Sequence, residues 1–231
     1  MTEQTKVISF CLWGSNPKYT IGAIRNAELA LEIYPGWETW FYVAGDVPIE
    51  ITDKLMTIGA KVLTMGGAGK WSNMLWRFYP ANYESIIMLS RDTDSRLNYR
   101  EKGAVDEWLA GDKDFHIMRD HPFHATPIMG GMWGARNGIL KNIDYWINEY
   151  AAGDHYQTDQ EFLMDVIYPK VIDNACVHDP FFDRRDFPSK RINTEFVGDV
   201  FDEYDVRHPD FWKYIQKAEE HKPVHNLVEG V

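Results

Sequence analysis

Asp92-Thr93-Asp94 is the stretch of this sequence best equipped to do chemistry. Two carboxylates one residue apart can face the same hard cation, and Mg²⁺ and Mn²⁺ prefer oxygen ligands and bridge protein to phosphate. A cation held there would neutralise the charge that builds on a departing diphosphate. Alone, the tripeptide is also an ordinary solvated turn. Its position adds weight, because Ser85 to Leu89 (SIIML) runs straight into it. A short, nearly all-apolar run marks a strand buried on both faces. Open α/β sheets bind ligands beyond the carboxyl ends of such strands. Arg91 and Arg96 flank the acids. They either balance the aspartates or offer guanidinium forks to phosphate oxygens.

Further candidates lie downstream. His121 and His124 read as acceptor-loop residues or plain loop polar groups. Pro122 between them breaks any helix that would align them for a shared metal. Gly130-Gly131 either lets backbone approach a ligand closely or makes a tight turn. Trp133 could stack on a sugar ring or fill the core. Asp159, near the start of a predicted helix, is either a carboxylate for acid–base or positioning work or a helix N-terminal charge. Asp199, Asp202, Glu203 and Asp205 read as a solvated acidic face, and Lys190 and Arg191 could reach phosphates from a lid. Gly66-Gly67-Ala68-Gly69-Lys70 is glycine-rich but lacks the spacing and the following Ser/Thr of a P-loop.

The elements that must position these residues alternate. Strands are expected at Lys6 to Leu12, Thr39 to Val43, Lys61 to Met65, Ser85 to Leu89, Phe115 to Met118 and Ala175 to Val177. Helices are expected at Tyr19 to Tyr34, Ile51 to Ile58, Asn73 to Tyr79, Val105 to Leu109, Lys141 to Tyr150, Asp159 to Ile167 and Lys213 to Lys222. His121 to Gly134 reads as loop, and the chain is irregular from Pro180. This order predicts an α/β fold with a mainly parallel central sheet, helices on both faces and an irregular C-terminal extension.

Length and composition fit one domain spanning 1–231, with no internal boundary. The formal net charge of −11 argues against a polyanion as the main partner and makes a metal the expected source of positive charge for a diphosphate. Aromatics at 14%, with nine tryptophans, suit both core filling and sugar binding. Cys11 and Cys176 show no metal-binding spacing and no disulfide framework, which favours a reducing compartment. No run of about 18 apolar residues is present, so no membrane span is expected and the location is read as cytoplasmic, the host cytoplasm if phage-encoded.

The motif order resembles the GT-A class of nucleotide-sugar glycosyltransferases, nearest to the retaining group that includes glycogenin and bacterial lipopolysaccharide galactosyltransferases. In that group an arginine-bearing helix and a proline precede an apolar strand ending in Asp-x-Asp. Here Trp76-Arg77-Phe78-Tyr79-Pro80 precedes Tyr83 to Leu89 and then Arg91-Asp92-Thr93-Asp94. A glycine-containing segment follows, Met129-Gly130-Gly131-Met132-Trp133-Gly134, and then an Asp-Gln pair in Thr158-Asp159-Gln160-Glu161-Phe162-Leu163. The likeness covers roughly residues 6 to 165.

It implies a single GT-A (Rossmann-like) domain, with residues 1–100 binding the nucleotide sugar and 101–231 forming the acceptor half. It implies a nucleotide pocket of Leu12, Trp13 and Gly14, with Arg77 near the donor, Asp92 and Asp94 as ligands of Mn²⁺ or Mg²⁺, and Asp159 and Gln160 facing sugar and acceptor. The family's second acid after Gln, its later Asn and its C-terminal histidine motif are missing. His178, His221 and His225 are candidates for a histidine ligand, and His178 is preferred because it follows a predicted strand. The implied activity is metal-dependent transfer of a hexose or pentose, from a UDP-sugar, to a glycan, lipid-linked sugar or protein. Alternatives are a phage-type transferase acting on hydroxymethylated bases in DNA, a nucleotidyltransferase or phosphohydrolase, and a non-catalytic carbohydrate-binding protein.

Overall fold

The computed structural model describes residues 4–150, 153–183 and 185–220. Its centre is a seven-stranded sheet in the order β3-β2-β1-β4-β6-β5-β7. The strands are β1 (Thr5–Leu12), β2 (Glu38–Val43), β3 (Lys61–Thr64), β4 (Ile86–Ser90), β5 (Phe115–Met118), β6 (Trp133–Ala135) and β7 (Ala175–His178). All pairings are parallel except those of β6, which runs antiparallel to both β4 and β5. The expected α/β class with a mainly parallel sheet is therefore what forms. β6 overlaps the end of the segment read as loop, His121 to Gly134. It has only three residues and a central glycine, too little for any periodicity to register.

Alternating side chains give the sheet two apolar faces. Ile8, Phe10, Leu12, Phe41, Val43, Ile87 and Leu89 pack under one helical layer. That layer holds α1 (Pro17–Ile33), α2 (Ile49–Ile58) and α3 (Tyr99–Ala110). Val7, Trp40, Tyr42, Met88, Phe115, Ile117 and Trp133 face the other way. There they meet a 3₁₀ segment (Trp71–Asn82), α4 (Ile143–Glu149) and α5 (Thr158–Phe162). A π turn, Leu163–Ile167, and α6 (Tyr168–Val171) continue α5.

Two caps explain where helices begin. Pro17 opens α1 behind Asn16, whose side chain accepts the Lys18 N–H at 3.0 Å. Asn98 accepts the Glu101 N–H at 2.8 Å and starts α3 six residues ahead of the expected Val105.

The C-terminal extension is irregular, as expected, until α7 (Phe211–Glu220). It is nonetheless pinned. Asp120, fully buried, accepts from Arg100 at 2.7 and 3.0 Å, from Arg191 at 2.6 Å and from the Val197 N–H at 3.0 Å. Arg191 is thus a clasp for the extension rather than a lid cation. Of the acidic residues of this region, Asp199 departs from the expected solvated face, while Asp205 stays exposed. Asp199 is buried against Arg207, and Asp205 joins Arg25 and Arg96.

Candidate active site

The acidic loop leaves β4 at the carboxyl end of the sheet, and α1 holds it there. The Arg91 N–H donates to Ser9 O at 3.0 Å and extends the β1–β4 pairing by one step. Asn26 is completely buried in α1. Its Nδ2 donates to Ser95 O at 2.8 Å and Thr93 O at 3.3 Å, and its Oδ1 accepts the Leu97 N–H at 3.1 Å. One amide therefore ties down both ends of the turn that carries the carboxylates. Gly22, a turn earlier, lets the helix approach, since a methyl group there would overlap Thr93 O.

Beneath the loop lies a charge relay centred on Arg77. This residue projects from the 3₁₀ segment and is buried. Its Nη1 donates to Asp92 Oδ1 and its Nη2 to Asp159 Oδ2, both at 2.6 Å. Gly130 and Gly131 form the floor. A Cβ on Gly130 would overlap Asp159 and Arg77, and one on Gly131 would overlap the Asp92 carboxylate. Ser90 Oγ donates to Gly130 O at 2.8 Å and fixes that floor to β4. The two glycines thus serve close packing of acids against backbone. Asp159 spends its carboxylate on Arg77 and faces the same cleft as Asp92.

Burial and like charge raise the Asp94 carboxyl above the ordinary carboxylate range, against the opposing pull of Lys18, whose Nζ lies 2.8 Å from Asp94 Oδ2. Burial likewise raises Asp159, with Arg77 opposing. Burial also pushes the Cys11 thiol beside Arg77 up to about 12, so it stays protonated and inert.

These groups open into a cleft of about 700 Å³. One wall is aromatic. Trp13, Trp71 and Tyr156 meet edge to face in sequence, with centroids 6.3 and 5.5 Å apart, and Tyr19 stands nearby. The other wall carries His121, Phe123, His124, Phe196, His208 and Phe211. Asp46 braces the first wall by accepting the Gly14 and Gly69 N–H groups at 2.9 and 2.7 Å. The glycine-rich 66–69 loop therefore buttresses the strand end rather than cradling phosphate.

Most of the sequence-derived candidates converge here: Leu12, Trp13, Arg77, Asp92, Asp94, His121, His124, Gly130, Asp159 and Gln160 line the cleft, with Gly14 and Gly131 directly behind. Three do not. Arg91 is turned inward, donating to Glu101 Oε1 at 2.8 Å and to Ser90 O at 2.7 Å, so it cannot reach a phosphate in the cleft. Trp133 is fully buried between Phe78 and Phe115, as an inward-facing residue of β6 must be, and stacks on no ligand. His178 faces His116 under α3 and lies off the cleft, so it does not join Asp92 and Asp94. His221 and His225 lie outside the described residues. The histidine that the extension brings into the cleft is His208, stacked on Phe211 at 4.3 Å. Sequence reading missed it, along with Lys18, Trp71 and Tyr156, since none sits in a recognisable spacing. Lys18 was the most findable, the second residue of a helix that starts soon after the first strand's end.

No family model and no curated protein sequence matches the chain. Solved structures do match in fold. A glycosyltransferase involved in glycosylation of the major capsid of PBCV-1 aligns with a TM-score of 0.50 and 15% identity, over 76% of this chain and 82% of that one. Glucosyl-3-phosphoglycerate synthase from Mycobacterium tuberculosis, in complex with phosphoglyceric acid, aligns with a TM-score of 0.50 and 14% identity, over 75% and 69%. The same enzyme holding Mn²⁺, UDP-glucose and glycerol 3-phosphate gives 0.50 and 13% over the same shares. At such identities the likeness establishes the fold, a single α/β domain of the kind these glycosyltransferases use. It does not reach the glycogenin-like subgroup. No helix among the described residues is long and apolar enough to cross a membrane.

Proposed function

We propose that the chain is a metal-dependent glycosyltransferase using a nucleotide-diphosphate sugar, with a UDP-sugar as the donor to test first. One observation carries the reading. The cleft places two carboxylates, Asp92 and Asp94, at the carboxyl end of a central strand, and both cations lining it, Lys18 and Arg77, are already paired with those acids. Among the described residues, a diphosphate entering this cleft finds no side-chain cation to itself. The all-oxygen donor set fits Mg²⁺ or Mn²⁺, and the ammonium on Asp94 marks where positive charge is favoured. A bound divalent ion would supply Lewis-acid neutralisation of the leaving diphosphate. His208, carried by the C-terminal extension, lines the same cleft.

In this reading the chain's own residues do the following. Trp13, Trp71 and Tyr156 stack on the base and ribose. Arg77 holds Asp92 and Asp159 at a fixed spacing, so that metal site and sugar site keep register. Asp159 and Gln160 face the sugar and the acceptor hydroxyl. The ring-lined wall of His121, Phe123, His124, Phe196 and Phe211 receives the acceptor. Burial holds His124 neutral, with its pKa lowered to about 3, and lowers His121 as well. Neutral rings suit an uncharged glycan better than a phosphorylated or nucleic-acid acceptor.

Calorimetric titration with UDP, GDP and CDP, with and without Mn²⁺, tests the reading. The expected result is metal-dependent binding of one diphosphate, lost in Asp92→Ala/Asp94→Ala. Binding that ignores both metal and mutation, or no binding of any of the three, overturns it.

A further inference from the structure

On the opposite side of the sheet from Arg77 lies a second cluster of ligating groups that the transfer chemistry leaves unused. β5 and β7 pair in parallel with His116 opposite Cys176 and Met118 opposite His178. Period-two alternation puts His116, Cys176 and His178 on one face, the face covered by α3. One ligating atom from each lies within 4.8 Å of the others. His116 Nε2 and His178 Nδ1 share a hydrogen bond at 2.8 Å. Both imidazoles are buried, and His116 stacks on Trp108 with ring centroids 5.2 Å apart.

We propose that His116, Cys176 and His178 bind a borderline-soft divalent cation, Zn²⁺ first, at a structural site distinct from the Asp92/Asp94 cleft. Three features carry this. The donor set is two imidazoles and a sulfur, the set that Zn²⁺ prefers and that Mg²⁺ and Mn²⁺ do not. The arrangement is spanned by two strands and a helix, so an ion there ties the outermost strand β7 to β5. The protonation pattern also fits. Glu107 Oε1 lies 3.7 Å from His178 Nε2, and a carboxylate there favours the proton on Nε2, which leaves the Nδ1 lone pair facing the cluster.

The proton balance is simple. Without a cation, His116 Nε2–H donates to His178 Nδ1, and burial keeps the Cys176 thiol protonated. On binding, the thiol proton leaves to solvent and the sulfur enters as thiolate. The His116 proton moves from Nε2 to Nδ1, and no oxidation state changes. Ligand nitrogens on one tetrahedral Zn²⁺ stand about 3.3 Å apart. Seating the ion therefore asks the two imidazoles to part by about half an ångström, a small ring rotation. Cys176 is only half-buried, which leaves a solvent side for a water as fourth ligand.

The test uses the full chain, expressed in zinc-containing medium and purified without chelator. About one equivalent of zinc per chain is expected. After replacement by Co²⁺, a near-ultraviolet thiolate-to-cobalt charge-transfer band should appear. It should persist in Asp92→Ala/Asp94→Ala and in Cys11→Ser, and vanish in Cys176→Ser. His178→Gln should weaken zinc binding at least tenfold. If Cys176→Ser fails to fold, the wild-type chain still decides: a strong chelator should lower its Tm, and added Zn²⁺ should restore it. Folded wild-type protein with no zinc, no cobalt band and a Tm indifferent to chelator overturns the proposal. So does a band that survives Cys176→Ser. Neither result depends on sugar transfer.

Discussion

Arg77→Met removes one guanidinium and strands two carboxylates, keeping most of the side-chain volume. The two ion pairs are unequal. Asp159 is 4% exposed, as is Arg77, and removing one partner of a buried pair costs about 3–5 kcal/mol because the other charge stays behind. Asp92 is 42% exposed, so water screens that pair and its loss costs at most about 1 kcal/mol. The expected total is about 4 kcal/mol at pH 8. For a chain of this size that is a drop in Tm of roughly 8–16 °C. The loss should depend on pH, with a sign that follows from the stranded acid. Burial already raises Asp159, and without Arg77 it rises further. A folded-state pKa above the unfolded one means the native state binds the extra proton, so stability falls as pH rises through that interval. The gap between variant and wild type should therefore be narrow near pH 5 and full by pH 8. Urea melts at the two pH values measure it. Adding Asp159→Asn to Arg77→Met should recover part of the loss, since an amide replaces the orphaned charge. A cost under about 1 kcal/mol at pH 8, or a gap equal at both pH values, would refute the relay as a coupled charge system.

Other consequences can be checked alongside. Gly131→Ala puts a methyl group on the Asp92 carboxylate, so Mn²⁺-dependent nucleotide affinity should drop at least tenfold by calorimetry while circular dichroism stays native. Asn26→Ala orphans the carbonyls and the N–H that anchor the acidic turn, and should cost about 2–3 kcal/mol and weaken metal binding without touching a ligand. His124 is neutral in the fold with its pKa lowered to about 3, whereas an unfolded histidine protonates near 6.5. The unfolded state then binds the extra proton, so this residue removes stability as pH falls below about 6.5, by about 2 kcal/mol at pH 5. His124→Gln should flatten that slope in melts taken at pH 7 and pH 5.

Much of the scaffold was legible because its signals are local. The apolar run before Ser90 and the alternation of strands and helices each act over a few residues, and six of the seven strands form where these signals put them. What escaped is set by contact between distant segments. β6 exists because β4 and β5 present edges to it, and nothing inside Trp133-Gly134-Ala135 announces a strand. Asp199 looks solvated in sequence, yet it is buried against Arg207 of the extension, and the exposed Asp205 pairs with arginines from α1 and the acidic loop.

The site divides along the same line, and the division explains its errors. Asp92, Asp94 and Asp159 could be singled out because charge at a strand end or helix start is visible in sequence, whereas Arg77 was indicated only by the likeness in motif order. The reading of Arg91 failed for a physical reason. Arg91 continues the β4 parity of Ile87 and Leu89, which face the layer that holds α3, so Glu101 of α3 pairs with it at 2.8 Å. Lys18 of α1, absent from the sequence reading, takes the place imagined for Arg91 beside the acids. Spacing thus reports which charges are present, while strand parity decides which of them face the ligand. The same parity sends His178 to the α3 face, away from the carboxylates and toward His116 and Cys176, where the chemistry it can share is that of nitrogen and sulfur rather than oxygen.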